Sequence, residues 1–217
     1  MKMNLAVLRV WVAALFFALA WSMPAHAELV LGKQYTLISP PQPTETGKNI
    51  EVLEFFSYAC PHCFALEPTL NPWVKKLPKD VTFRRLPAVF NETYRTYARI
   101  FYAAEAMGVL EKLHPAIFNA VHGQHINLGN EQTLLEWVAK QGVDSKKFSA
   151  MYTSFEVDYK TKRADQLTRS FAITGVPSIA VEGKYLTSTS MSGGNEQLLP
   201  LLDDLIKKAR QDRGGKS

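Results

Sequence analysis

The chain has 217 residues, 47% of them hydrophobic and 21% charged, with a formal charge of +5 and two cysteines. That is enough apolar material to bury a core without covalent help, and two cysteines exclude a disulfide scaffold. The mild basicity forms no Arg/Lys stripe with interleaved aromatics, which argues against nucleic-acid binding.

Residues 1–27 read as a cleaved secretory signal peptide. Lys2 and Arg9 form a positive start, Val10 to Trp21 is apolar, and Ala25-His26-Ala27 is a small-x-small cleavage site. Cleavage after Ala27 removes two basic and no acidic residues, taking the charge from +5 to +3 and leaving 190 residues. The apolar run is too short to span a bilayer and none like it follows. Export implies an oxidising compartment.

In chain order, Lys33 to Leu37 suggests a short edge strand, and the proline-rich Pro40 to Gly47 a loop. Ile50 to Phe56 reads as a buried central strand carrying charge at Glu51 and Glu54. A helix is expected from about Cys60, with Pro61 in its first turn, where proline is tolerated. Cys63, Leu66, Leu70, Trp73, Val74 and Leu77 follow helical spacing, while Pro68 and Pro72 should kink it. Val81 to Leu86 alternates like a strand. Helices are then expected over Thr93–Met107, Leu110–Val121, Glu131–Gln141 and Ser145–Ser154, with Asn130 and Asp144 as N-caps. Tyr94, Tyr97 and Phe101 fall on one helical face and read as core. A helix from about Thr161 to Phe171 precedes Gly175-Val176-Pro177. A hairpin about Gly183 pairs Ser178–Glu182 with Lys184–Thr187, and Asn195 is expected to cap a last helix ending near Arg210. The order describes a small α/β sheet with a parallel start, an antiparallel end, and a helical segment inserted between its halves.

The chemistry concentrates in Cys60-Pro61-His62-Cys63, which holds both cysteines. With no other cysteine available, this pair is a working dithiol rather than a staple. Cys60 at a helix N-terminus meets unpaired backbone N–H groups and the positive end of the dipole, and His62 can add a positive charge; both favour thiolate. Cys63, one turn inside, should be shielded. Cys60 is then the exposed attacking and attacked sulfur, and Cys63 the resolving one. His114, His122 and His125 read as ordinary surface histidines rather than metal ligands, since Gly123 separates the closest two. Haem attachment would need histidine at position 64, where Phe64 stands.

Phe55 to Cys63, together with Gly175-Val176-Pro177 before a hairpin, resembles the DsbA family of periplasmic thiol oxidases, over essentially the whole mature chain. The resemblance implies a thioredoxin-like mixed sheet made of residues 28–90 and 158–217, with an all-helical insertion at 91–157. It implies that Val176-Pro177 is a cis peptide facing Cys60 that offers the Val176 backbone to an extended substrate. It also implies that Glu54 is a buried acid behind the cysteines, accepting a proton when Cys63 deprotonates. Reduced exported proteins would be the substrates, and a quinone-linked membrane oxidase of the DsbB type would reoxidise a monomeric enzyme that needs no cofactor.

A site of this kind lowers a cysteine pKa from about 8.5 to roughly 3.5–7.5, the low end being the DsbA value itself. A pKa near 4 would stabilise thiolate at pH 7 by about 4 kcal/mol, on the order of 90 mV towards oxidant. It would make reduced protein more stable than oxidised protein at that pH. Two alternatives stand beside the oxidase: an isomerase or reductase on the same fold, and a non-catalytic protein using Cys60 and Cys63 as metal ligands or staple.

Overall fold

The structure, a computed structural model, describes residues 29–214; the signal peptide read at 1–27 lies outside them. Five strands form one sheet: β1 (Thr36–Leu37), β2 (Ile50–Phe56), β3 (Val81–Pro87), β4 (Ser178–Val181) and β5 (Tyr185–Ser188), in the order β1-β5-β4-β2-β3. β2 runs parallel to β3, with Ile50 opposite Val81, and antiparallel to β4, with Phe55 opposite Ser178. All seven residues of β2 are buried, because both faces of the sheet are covered. Ile50 and Val52 join a cluster with Leu66, Leu70, Leu202 and Ile206 on one face. Leu53 and Phe55, on the other face, join the larger cluster with Phe101, Leu113 and Phe118, which also takes in Phe56 at the end of the strand.

The described residues form eight α-helices: α1 (Pro61–Val74), α2 (Glu92–Ala106), α3 (Leu110–Phe118), α4 (Glu131–Lys140), α5 (Ser145–Tyr152), α6 (Phe155–Ser170), α7 (Thr189–Ser192) and α8 (Asn195–Gly214); the sequence reading anticipated all but α7. α2 to α6 lie between β3 and β4 in the chain. Asn130 and Asp144 cap α4 and α5 as expected, accepting from Thr133 N and from Lys146 N and Lys147 N. Pro68 and Pro72 sit inside α1 without ending it. The hairpin turn closes with Lys184 N donating to Val181 O at 3.1 Å. Glu182 and Gly183 both have positive φ there, the form that matches strand twist. A Cβ on Gly183 would stand 2.0 Å from the Gln42 carbonyl oxygen, so only glycine fits.

Three expectations change. α6 starts at Phe155, six residues before Thr161, because Ser154 caps it by accepting from Val157 N at 3.2 Å. Its buried face is Val157, Thr161, Ala164 and Thr168, small or polar residues that give a weak hydrophobic signal. The helix expected to reach Val121 turns instead into a π-helical stretch, Asn119–Gly123. Asn195 does not cap α8: Leu198 N bonds to the Gly194 carbonyl, and the Asn195 amide donates to Ala65 O at 2.9 Å.

Candidate active site

The first turn of α1 places the dithiol. Cys60 is its N-cap, with extended backbone (φ −94, ψ 115), and Pro61 opens the helix. Just before it, Ser57 to Cys60 forms a tight turn in which Cys60 N donates to Ser57 O at 3.0 Å. Both cysteines are free thiols. Cys63 is fully buried, and Cys60 is only 6% exposed, so the exposed sulfur read from the sequence is in fact a small window at the surface. The Cys60 pKa is lowered to about 6, foremost by the Cys63 thiol, then by the N–H groups of Cys63 and His62 and last by the His62 charge, against the opposing effect of burial. This is milder than a value near 4. Burial pushes the Cys63 thiol far up.

Across the cysteines lies the loop before β4. Val176-Pro177 is cis, as expected, and the Cys60 thiol approaches Val176 O at 3.3 Å. Ser39-Pro40 is a second cis bond that the sequence did not announce. A cleft of about 460 Å³ runs from exposed His62 past Val176 and Pro177 to Ser188, Thr189, Ser190 and Asn195. Those hydroxyl and amide residues were not visible as groove residues, because they come from the end of β5, the short helix α7 and the start of α8, and α7 has no buried side chain to give it a periodicity. A larger cavity of about 550 Å³, between β3 and helices α2 and α6, contains neither cysteine.

Behind the dithiol, Glu54 is fully buried and its pKa is raised to about 8, chiefly by desolvation. Arg85 Nε comes within 3.1 Å of Glu54 Oε2 but is misaligned, leaving both carboxyl oxygens without a hydrogen bond. A buried acid in that position keeps its proton at neutral pH. Arg85 also reaches Glu67 Oε1 at 3.4 Å and donates to Asn71 Oδ1 at 2.7 Å. Glu67 is 7% exposed. Burial opposes its ionisation, but His114, Arg85 and Asn71 hold its pKa below the usual carboxylate range.

His114 completes this cluster, and here the sequence reading was wrong. It is 6% exposed rather than at the surface, with Nδ1 2.7 Å from the Tyr58 hydroxyl and Nε2 3.4 Å from Glu67 Oε2. Burial lowers its pKa, so the ring is neutral at pH 7. His122 is half-buried and bonds the Tyr58 carbonyl, while His125 is exposed as expected. The sequence did carry a signal for Glu67: it lies four residues after Cys63, between Leu66 and Leu70, on the stripe that faces the core. Among the described residues, no three of His, Cys, Asp and Glu come together as a metal-ligand cluster.

A reactive N-cap thiol, a shielded partner and a buried acid behind them suit thiol–disulfide exchange, and known proteins agree. Residues 51–205 match the family model of the DSBA-like thioredoxin domain. The chain belongs to that family. The thiol:disulfide interchange protein DsbA of Pseudomonas aeruginosa is 40% identical over 199 residues, 91% of this chain and 94% of that protein. The Burkholderia cepacia DsbA is 38% identical over 183 residues, 84% of this chain and 86% of that one. The crystal structure of Pseudomonas aeruginosa DsbA superposes with a TM-score of 0.82 at 40% identity, covering 86% of this chain and 97% of its own. That of the Xylella fastidiosa DsbA oxidoreductase gives 0.79 at 30%, covering 86% and 100%. As a member of the DsbA-like family, the chain is a thiol:disulfide oxidoreductase on a thioredoxin fold.

Proposed function

We propose that the protein is a dithiol oxidase that gives a Cys60–Cys63 disulfide to reduced, newly exported polypeptides. One juxtaposition supports this most: a thiol lowered to about pKa 6 at a helix N-cap, beside a second thiol that burial keeps protonated. In the oxidised enzyme, a substrate thiolate attacks Cys60 Sγ and forms a mixed disulfide. The Cys60–Cys63 bond breaks, and Cys63 leaves with the electron pair. Its high proton affinity requires an acid, and Glu54, still protonated at pH 7, is the donor. A second substrate thiolate then attacks its own sulfur in the mixed disulfide and expels Cys60 as thiolate, a good leaving group. The substrate has lost two electrons and the enzyme has gained them. On reoxidation Cys63 must attack, and its proton passes to the fraction of Glu54 that has released its own.

Pro61 opens the helix, His62 adds charge at its rim, and Val176 with Pro177 forms the wall along which an extended substrate would lie. The division into a thioredoxin-like unit (28–90 and 158–217) and a helical insertion (91–157) belongs to the same reading. So do the periplasmic location, the monomeric state and reoxidation by a quinone-linked membrane partner of the DsbB type.

The test is the equilibrium reduction potential against glutathione. A pKa of about 6 stabilises thiolate at pH 7 by about 1.4 kcal/mol, on the order of 30 mV and not 90. The known scale runs from about −270 mV for thioredoxin to about −120 mV for DsbA. A value in the oxidising half of that range is expected; one near −270 mV would establish a reductase instead.

A further inference from the structure

The turn that presents Cys60 is held from outside by the helical segment. Its first and last residues are Ser57 and Cys60, so its central peptide joins Tyr58 to Ala59. Flipping that peptide is what separates the two commonest turn types, so its orientation must be fixed by contacts beyond the turn. Both ends are held. Ser57 Oγ accepts from Ala59 N at 3.2 Å, and His122 Nε2 lies 2.8 Å from the Tyr58 carbonyl oxygen. A carbonyl only accepts, so the His122 nitrogen carries the hydrogen.

The placement of His122 is built rather than incidental. It sits in the π-helical stretch Asn119–Gly123, where Gln124 N reaches back five residues to Asn119 O at 2.9 Å. π-turns are rare and occur frequently at functional sites. The ring is stacked on Phe64, the residue after Cys63, at 5.2 Å and 17° between planes. Stacking fixes the ring plane, and with it the direction of the N–H. The side chain of the same Tyr58 is gripped by His114 at 2.7 Å.

We propose that His122 is a positioning residue: its Nε2–H, donated to the Tyr58 carbonyl, fixes the central peptide of the Ser57–Cys60 turn and so the geometry of the Cys60 sulfur at the helix N-cap. This deepens the oxidase reading and rests on Cys60 being the exchanging thiol. The Cys63 N–H reaches Cys60 Sγ at 3.4 Å only while Cys60 keeps its N-cap conformation. A turn free to flip would lose part of that contact.

The test compares His122→Phe, which keeps the stack and removes the donor, with His122→Gln, which keeps a donor without the ring. Cys60 thiolate absorbance is titrated in the reduced proteins, and the Ala59 amide resonance is followed by NMR. His122→Phe is expected to raise the thiolate midpoint by about half to one pK unit, the worth of one hydrogen bond, and to move the Ala59 resonance. His122→Gln is expected to restore both. No shift in the Phe variant, or equal shifts in both variants, would overturn the proposal, the latter by assigning the effect to the ring or its charge. Ser57→Ala frees the other end of the same peptide and is expected to shift the midpoint in the same direction. It carries the test should the Phe variant fail to fold, and no shift there would again overturn it. A wild-type midpoint at the ordinary thiol value of about 8.5 would overturn the oxidase reading together with this one. A lowered wild-type midpoint that the variants leave in place would overturn this proposal alone.

Discussion

Glu54 and Cys60 are both acids, and folding moves them in opposite directions, so their contributions to stability have opposite signs. The Glu54 pKa is raised to about 8, so the folded state holds a proton that the unfolded chain releases above about pH 4.5. The resulting cost is absent below that pH, grows as pH rises and levels off above about 8. Glu54→Gln keeps the shape of the neutral acid and removes the cost. It is expected to stabilise the protein at pH 7 by on the order of 1–3 kcal/mol, to leave stability at pH 4 unchanged, and to slow the release of Cys63. Urea melts at the two pH values check this, and a less stable variant at pH 7 would contradict it. His62 is exposed and is the weakest of the groups lowering the Cys60 pKa. His62→Ala is therefore expected to raise the thiolate midpoint by less than about one unit, leaving the backbone share in place. A return to the ordinary thiol midpoint in an absorbance titration would make His62, and not the helix terminus, the main device.

At the scale of elements, the helices differ in how they are anchored. α2 buries seven residues from Tyr97 to Ala104, whereas α5 buries Phe148 alone. Met151 and Tyr152 pack against the same core only partly buried, so Phe148 is the main hold of α5. Phe148→Ala is expected to cost about 3–5 kcal/mol, the usual range for a buried phenylalanine, and to undock α5. The dithiol turn lies elsewhere in the chain, so the thiolate midpoint should stay put. Denaturant melts beside a thiolate titration test both halves, and a loss under 1 kcal/mol would mean that α5 is held by its Asp144 cap and its neighbours instead. α1 shows the converse, an element whose end is the site. Its N-cap is the reactive Cys60, and its stripe carries Cys63, Leu66, Glu67 and Leu70 into the interior.

For the whole molecule, the redox state and the fold are linked through Cys60. A thiol whose folded pKa is depressed stabilises the reduced protein fully above the unfolded value of about 8.5, and this is lost as pH falls through about 6. The total is about 3 kcal/mol, of which about 1.4 is present at pH 7. A disulfide closing so small a ring restricts the unfolded chain by about 2 kcal/mol on the loop-entropy relation. The two forms should therefore lie within about 1 kcal/mol of each other at neutral pH, with oxidised protein ahead at pH 5 and reduced protein ahead at pH 9. A pKa near 4 would instead place reduced protein ahead throughout the neutral range. Paired melts of both forms from pH 5 to 9, made in the Glu54→Gln background so that the two thiols alone distinguish the forms, read the crossing directly; burial of Cys63, which keeps its folded thiol protonated, offsets part of the Cys60 gain near pH 9. A difference that does not change with pH would rule out the depressed thiol.

Local rules determined much of this protein from its sequence. The seven-residue run Ile50–Phe56, apolar but for Glu51 and Glu54, the caps Asn130 and Asp144, the turn glycine Gly183 and the spacing of Cys60 and Cys63 each act through the chain beside them, so strand, helices, hairpin and dithiol were legible. Only tertiary structure decided the rest. Arg85 and Glu67, on β3 and α1, and His114, on α3, look like three unrelated polar residues in the sequence. They form one buried cluster behind Glu54 because parallel pairing sets Arg85 directly opposite Glu54 and the helical segment closes over both. His122 was read as a surface residue because the π-turn that aims it at Tyr58 leaves no mark in hydrophobic periodicity. The depth of the pKa shift at Cys60 likewise depended on how far the fold buries a sulfur that the helix terminus alone would have left more strongly acidic.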